Sequence, residues 1–344
     1  MKQIYASLLF AAAIAAAPLA ANAQGVQIIK TNGTTIEVPY AELDRIVPYE
    51  AEPTPPEPPI VTADPKIGDY FYSDGTWSDG GLISIDADGQ NAVYADPRPM
   101  PLEGKSVIGI VFTTDQSRMA QADIDAGYTH GYVIACKNAT DPGKSNYERY
   151  PESIWFANPY SGCEVEVNPI AKTAKSCYEA IDGRTETANI LSYNTESPEI
   201  KVPLFYYCTT GFPVAAPENT SGWFVPSMGQ MWDCVANLCS GSAAAWLATE
   251  RTVESDFSYE KLETGENLME IFMRAFENVP AADKDEITVA DGTWPANTVA
   301  LGTSTRYDSE SAMHINLGMD EKGLIQGMCG WFDEEIHGRP ILAF

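Results

Sequence analysis

The stretch Ser221–Cys239, SGWFVPSMGQMWDCVANLC, constrains the fold more than any other part of the chain. Trp223, Phe224 and Val225 form a short apolar run. Pro226 ends it, because proline has no N–H to give to a sheet ladder. Ser227 and Gln230 then have the S-x-x-Q spacing of a capping box, which predicts a helix starting there. Met231, Val235 and Leu238 repeat at helical spacing, and Trp232 and Cys234 widen the apolar stripe. The stretch reads as strand, stop and helix. It carries no catalytic chemistry, and Ser227 reads as a helix cap.

A helix and a strand of this kind need a large partner surface, and 344 residues can supply one. At 44% apolar and 20% charged residues the chain has the composition of an ordinary globular protein, not of a disordered one. Twenty-six Gly, 24 Pro and 17 Tyr against few helical stretches point to a strand- and loop-rich fold. The formal charge of −27 repels phosphate backbones and anionic lipid, which argues against nucleic-acid and membrane-surface partners.

Residues 1–23 read as a signal peptide. Lys2 is the positive n-region, Ala6–Ala17 the short apolar segment, and Ala21-Asn22-Ala23 an A-x-A cleavage site. That run is too short for a membrane span, and no later run is apolar enough to be one. The expected location is outside the inner membrane: cell surface, periplasm or extracellular. Seven cysteines with irregular spacing read mostly as small buried hydrophobes. Cys163 with Cys177 is the one disulfide this reading favours.

Residues 24–49 contain a hairpin signal: two alternating apolar runs within Val26–Pro39 flank Asn32-Gly33. Ala41–Val47 continues it as a short amphipathic piece. Residues 50–66 are a proline-rich, extended tether. From residue 67 to 344 one domain is expected. Within it Gly68–Ser78 alternates aromatic and polar residues around an Asp-Gly turn. Val107–Phe112, Gly131–Ala135, Pro203–Cys208, Ala312–Leu317 and Pro340–Phe344 read as strands. Lys172–Ile181, closed by Asp182-Gly183, Ala243–Ala248 and Glu266–Val279 read as helices. No period of 20–50 residues repeats, which excludes solenoids and propellers.

Five of these segments occur in an order that is specific when taken together: GDYFYSDGTWS, IGIVF, HGYVIA, SGWFVPSMGQM and the terminal GRPILAF. With them, residues 67–344 resemble the C-type-lectin-like domains of exported and fimbria-associated surface proteins of Gram-negative anaerobes. The leading hairpin is similar to a leader found on surface proteins of the same bacteria. The resemblance implies an α+β fold with an antiparallel sheet, two main helices, and terminal strands lying close together. It also implies a ligand face in the loops before the last strand, within Asp283–Asp333. The chain departs from the family at Leu301–Tyr307, LGTSTRY, where relatives carry YWSSTE-like residues; Arg306 stands where an acid is usual.

Catalytic constellations are poorly supported. Ser227 sits in V-P-S-M-G, without the first glycine of a nucleophile elbow. His130, His314 and His337 have no local cysteine partner and read as ordinary polar or core residues. Zinc would need clustered His and Cys, which are scattered. Formylglycine-generating oxidases share the resembled fold and use paired reactive cysteines. Cys329 lies late enough in the chain, but in an unfamiliar G-M-C-G-W context. Pro217-Glu218-Asn219, Pro295-Ala296-Asn297 and Trp331-Phe332-Asp333 are not the calcium signatures of sugar-binding lectins. Calcium held by the acidic loops stays open, and no other cofactor is expected.

The reading is therefore a non-enzymatic adhesion or ligand-binding protein of the bacterial surface. Its partner would be a host glycan or a protein ligand. The candidate binding residues are Trp294, Asn297, Arg306, Tyr307, Asp308, Trp331, Phe332 and Asp333. They are aromatic and polar groups in loops, where sugar faces can stack and hydroxyls can bond. The alternative is a structural or assembly component of a fimbria-like fibre, bound to other subunits by strand addition through the hairpin.

Overall fold

The computed structural model describes residues 25–29, 35–39, 64–84, 92–140, 154–155, 168–192, 202–287, 297–331 and 335–344. The chain divides into two compact units, residues 1–55 and 56–344. In the first, β1 (Gly25–Ile29) pairs antiparallel with β2 (Thr35–Pro39) in unbroken register, from Gly25 opposite Pro39 to Ile29 opposite Thr35. This is the expected hairpin. The Asn32-Gly33 turn, Ala41–Val47, the leader and most of the tether lie outside the described residues.

The second unit begins with β3 (Tyr70–Tyr72), β4 (Trp77–Ser78), β5 (Leu82–Ser84), β6 (Val93–Tyr94) and β7 (Val107–Thr113). Next come α1 (Gln121–Asp125), β8 (Tyr132–Ala135), β9 (Ile154–Trp155), α2 (Ala174–Glu179), α3 (Gly183–Ser192) and α4 (Pro203–Tyr207). Then follow α5 (Met228–Leu238), α6 (Gly241–Glu250), β10 (Lys261–Glu263) and α7 (Leu268–Met273). The unit ends with β11 (Thr298–Arg306), β12 (Ser311–Gly318), β13 (Leu324–Trp331), β14 (Glu335–Ile336) and β15 (Ile341–Ala343). The fold is mixed helix and antiparallel sheet. One sheet has the strand order β15-β8-β7-β3-β4 and a second the order β10-β13-β12-β11.

The first sheet is buried on both faces. Tyr70, Tyr72, Phe112 and Ile134 point into one apolar cluster, with α5 against it. Phe71, Val111 and Val133 point into another, with Leu204 and Phe205 of α4. Double burial demands near-continuous apolar strands, which IGIVF and YVIA supply. The domain's first and last strands share this sheet, and the rings of Phe71 and Phe344 lie 4.9 Å apart. The turn between β3 and β4 needs Gly75 at φ +79°, and the Asp74 carboxylate accepts from the Thr76 amide and hydroxyl to close it.

Helix α5 starts where the sequence signal puts it. The Ser227 N–H donates to Gln230 Oε1 at 2.9 Å, and the Ser227 hydroxyl donates to the Ala180 carbonyl at 2.6 Å. Thr305 Oγ1 accepts from the Met228 N–H at 2.8 Å. Ser227 is fully buried, and its hydroxyl ties the start of the helix to the Ala180 carbonyl and to Gln230. Met231, Trp232, Val235 and Leu238 are buried on this helix, each stabilising the fold by roughly 1.5–3 kcal/mol. The preceding apolar run is shorter than a strand. Phe224 alone bridges to Ile341, through two 2.9 Å backbone hydrogen bonds that cover the edge of β15.

Four expectations are corrected. Pro203–Cys208 is a helix, not a strand: Pro203 takes the first turn, where its missing N–H costs nothing, and Leu204 and Phe205 reach the core from one side. Asp182-Gly183 does not close a helix but opens α3. Gly183 is needed there because a Cβ would meet the Ser227 nitrogen at 2.5 Å and the Val225 carbonyl at 2.7 Å. Two main helices are too few: seven α-helices occur among the described residues, three of them of ten residues or more. Cys177 is a free, buried thiol directed at the Ala171 carbonyl, not half of a disulfide; Cys163 lies outside the described residues.

Candidate functional site

The segment Val253–Phe257 runs antiparallel to Lys172–Lys175. The Lys175 N–H donates to the Val253 carbonyl at 2.9 Å, and the Phe257 N–H to the Lys172 carbonyl at 2.7 Å. Phe257 is fully buried beneath Trp232 (5.0 Å) and Trp246 (5.8 Å). Its anchored position fixes the residues on either side, Asp256 and Ser258. The turn between β11 and β12 arrives beside them. There the Ala171 N–H donates to the Arg306 carbonyl, tying the end of β11 to the chain entering α2.

A polar cluster results. The Tyr307 hydroxyl donates to Asp256 Oδ2 at 2.6 Å, and Asp256 Oδ1 accepts from the Ser258 amide and hydroxyl at 2.9 and 2.7 Å. The Lys172 ammonium lies 4.4 Å from the centre of the Tyr307 ring. Arg306 Nε donates to the Asp308 carbonyl, and Asp308 Oδ1 accepts from the Glu310 amide and the Ser311 hydroxyl. Partial burial works against charge on Asp256, but the Tyr307 and Ser258 hydroxyls outweigh it and hold the carboxyl below its ordinary range. Asp308 is held low in the same sense, burial being outweighed by the hydrogen bond from Ser311. Both carboxylates stay charged at neutral pH, and the bond to Asp256 keeps the Tyr307 phenol protonated.

Tyr259 extends the cluster. It is 66% exposed and stands at φ +81°, a conformation that costs a non-glycine residue about 1–2 kcal/mol. Backbone bonds pairing Tyr259 and Glu260 with Gly327 impose it as the chain enters β10. The result is an aromatic ring displayed to solvent beside Ser258. Cys329 is half-buried here, its thiol pushed up by burial against hydrogen bonding from Ser258 and Tyr259.

Of the predicted binding residues, Arg306, Tyr307 and Asp308 come together. Asn297 does not: it precedes β11 while Arg306 ends it, which separates them by roughly 25–30 Å. Its φ of +59° and its carbonyl, which accepts from Met319, make it the turn residue there. Trp331 ends β13, its backbone opposite Ser311. Trp294, Phe332 and Asp333 lie outside the described residues. The sequence reading missed Lys172, Asp256, Ser258 and Tyr259. The Asp-x-Ser spacing at 256–258 is a local turn signal. Nothing in it names Tyr307 as the partner 49 residues from Ser258.

The other candidates have structural places. His314 and His337 are buried, and desolvation drops each imidazole to about 4. Met313 lies opposite Cys329, and His314 opposite Met328, so the Cys329 thiol and the His314 imidazole occupy opposite sheet faces. Asn219 sits in the turn closed by the Thr220 N–H to Pro217 carbonyl bond. Among the described residues no three His, Cys, Asp or Glu side chains converge as a metal site requires. No helix among them is long and apolar enough to cross a membrane.

No protein-family model matches this chain, and no curated protein sequence matches it. Among solved structures, a fimbrial protein from Bacteroides ovatus ATCC 8483 is similar, with 14% sequence identity and a TM-score of 0.45. The likeness covers 81% of this chain and 49% of that one, so the chain spans about half the length of that protein.

Proposed function

We propose that this chain is an exported, non-enzymatic surface protein whose C-type-lectin-like domain holds a ligand through the face of Arg306, Tyr307 and Asp308, completed by Lys172, Asp256 and Tyr259. The observation that carries the reading is the Tyr307–Asp256 hydrogen bond at 2.6 Å. It fixes an aromatic ring and a charged carboxylate side by side at the surface, where a ligand can stack on one and donate to the other. Tyr259, held exposed at a backbone cost, adds a second ring. Calcium is not required by this reading. The test is a glycan and host-matrix array, run with and without chelator, comparing the wild type with Asp256→Ala and Tyr307→Ala. Binding by the wild type that both variants lose supports the reading. Silence of the wild type under both conditions, or equal binding by all three, sinks it.

The hairpin favours a second reading, a subunit of a surface fibre. β1 and β2 form a two-stranded sheet, which is marginal on its own and gains from a third strand. In that case deleting residues 26–48 abolishes co-purification with surface fibres and leaves array binding intact. Unchanged co-purification rejects it.

A further inference from the structure

The ribbon formed by β5 and β6 leaves an apolar face uncovered. Of the five large apolar side chains exposed among the described residues, three lie within residues 83–100: Ile83 (67% exposed), Val93 (39%) and Met100 (46%). The other two, Ile170 and Tyr259, stand beside Arg306 and Ser258 and border the Tyr307 face. We propose that the ribbon receives the β1–β2 hairpin of a second copy of this chain, apolar face against apolar face. The inference rests on the fibre-subunit reading above and gives that reading a partner and a receiving surface.

The receiving face follows from the register. Leu82 pairs with Tyr94, and Ser84 with Val93. Successive strand residues point to opposite faces, so Ile83 and Val93 share the outer face while Leu82 and Tyr94 share the inner one. The inner face is fixed. Leu82 is buried against Gly68, where a Cβ would stand 2.4 Å from the Leu82 Cβ. The Arg98 guanidinium lies 3.9 Å from the centre of the Tyr94 ring and donates to the Gly80 and Ala275 carbonyls. Pro99 closes on Gly81, where a Cβ would meet its Cδ at 2.7 Å, and this brings Met100 to the same ribbon. A ribbon held from beneath presents its outer side chains at little ordering cost. Neither strand carries a charged side chain, so nothing in it opposes an apolar partner.

The occupant follows from the other two-stranded piece. In the hairpin Val26 stands opposite Val38, and Ile28 opposite Ile36. Alternation puts these four β-branched residues on one face and Gln27 and Glu37 on the other. A two-stranded sheet has no second layer of its own to cover such a face. Between hairpin and domain the sequence runs through Pro53, Pro55, Pro56, Pro58 and Pro59. A proline-rich sequence is a semi-rigid spacer rather than a hinge, which favours a neighbouring copy as the receiver.

Hairpin and ribbon are different surfaces, so each copy can give one and receive one. A head-to-tail contact of this kind extends into a filament wherever its rotation does not close a ring. The face is small beside a standard interface, so each contact is weak and association depends on concentration.

The test is sedimentation velocity of the purified chain over a wide concentration range, in which the wild type is expected to associate as concentration rises. Ile83→Gln combined with Val93→Gln removes the receiving face without adding charge. Ile28→Gln spoils the docking face in the same way, and both variants are first shown to melt like the wild type. Each should weaken association by about tenfold, equivalent to ~1.4 kcal/mol. Mixing the two should restore a one-to-one complex that grows no further, because one variant supplies an intact hairpin and the other an intact ribbon. Association unchanged in the Ile83→Gln, Val93→Gln variant, or no recovery on mixing, overturns the ribbon as receiver. A wild type that stays monomeric at every concentration overturns the second copy as occupant. If deleting residues 26–48 still abolishes co-purification with surface fibres in those cases, the fibre reading stands without this contact. If that deletion changes nothing either, the fibre reading falls with it.

Discussion

The Ser227 cap and the Tyr307 cluster use the same chemistry in opposite surroundings. Each joins a hydroxyl to a side-chain oxygen and a neighbouring main chain. Ser227 bonds Gln230 and Ala180 with no exposure at all, so its bonding capacity is consumed by the fold. Tyr307 bonds Asp256 at the surface, where the ring and the carboxylate remain open to another molecule. A buried hydrogen bond chiefly avoids the cost of an unmade one, whereas an exposed rigid one adds little stability and orders groups for a partner. The first region should therefore respond to mutation in stability and the second in binding.

The sharpest way to break this contrast is Trp232→Ala. Trp232 sits on the cap helix and packs against Phe257, which fixes Asp256. The change should cost about 3–5 kcal/mol in denaturant unfolding and weaken ligand binding with it. A loss below about 1 kcal/mol would show that the two regions do not share this anchor.

Next in size is a pH effect behind the cap. Glu186 on α3 is buried and donates nothing to solvent; its carboxylate accepts from the Ser304 hydroxyl at 2.6 Å. Burial pushes it up to about 7, assisted by Asp182 and opposed by Ser304 and Thr305. A carboxyl raised in the fold is equally protonated in both states below its unfolded value near 4.5. Above that value the unfolded chain ionises first, so stability falls until the folded group titrates near 7 and is then level. Glu186→Gln should remove this fall, on the order of 3 kcal/mol. The variant-minus-wild-type difference in unfolding free energy should therefore grow from pH 4.5 to 7. Taking the difference cancels His314 and His337, whose depressed values destabilise the fold as pH drops. A flat difference would mean that Glu186 is charged in the fold.

Ser227→Ala tests the cap itself. It leaves the Ala180 carbonyl without its 2.6 Å donor, and about 1–2 kcal/mol should be lost, with ligand affinity unchanged. Affinity that falls along with stability would erase the distinction between the two regions.

The difference also explains what the sequence could reveal. The cap is local: Ser227 and Gln230 are three residues apart, and the apolar stripe from Met231 to Leu238 follows at once. The doubly buried strands were equally legible, because nothing but apolar residues survives at Val107–Phe112 and Tyr132–Ala135. Pro203–Tyr207 misled because an aromatic run looks like a strand, and burial of Leu204 and Phe205 overrode that propensity. Of the proposed binding face, only Arg306–Asp308 was legible. Its other half comes from Lys172 and Asp256, brought in by backbone pairing of two loops that carry no periodic signal. Asn297, expected on the same face, stands with a left-handed backbone angle at the opposite end of β11 from Arg306.

The smallest stability effect should come from Tyr307→Phe. The substitution keeps the ring, and with it the Lys172 contact, and removes only the hydroxyl that donates to Asp256. Asp256 is exposed and keeps two donors from Ser258, so unfolding should change by no more than about 0.5 kcal/mol. Without that hydroxyl the Asp256 carboxyl loses a group that holds it low, and its titration by NMR should move upward. Ligand affinity should fall, because ring and carboxylate are no longer held together, yet by less than in Tyr307→Ala, which also removes the stacking surface. An affinity equal to that of the wild type would mean that the bond between them is not what prepares the face. The aromatic ring alone would then be the recognition element.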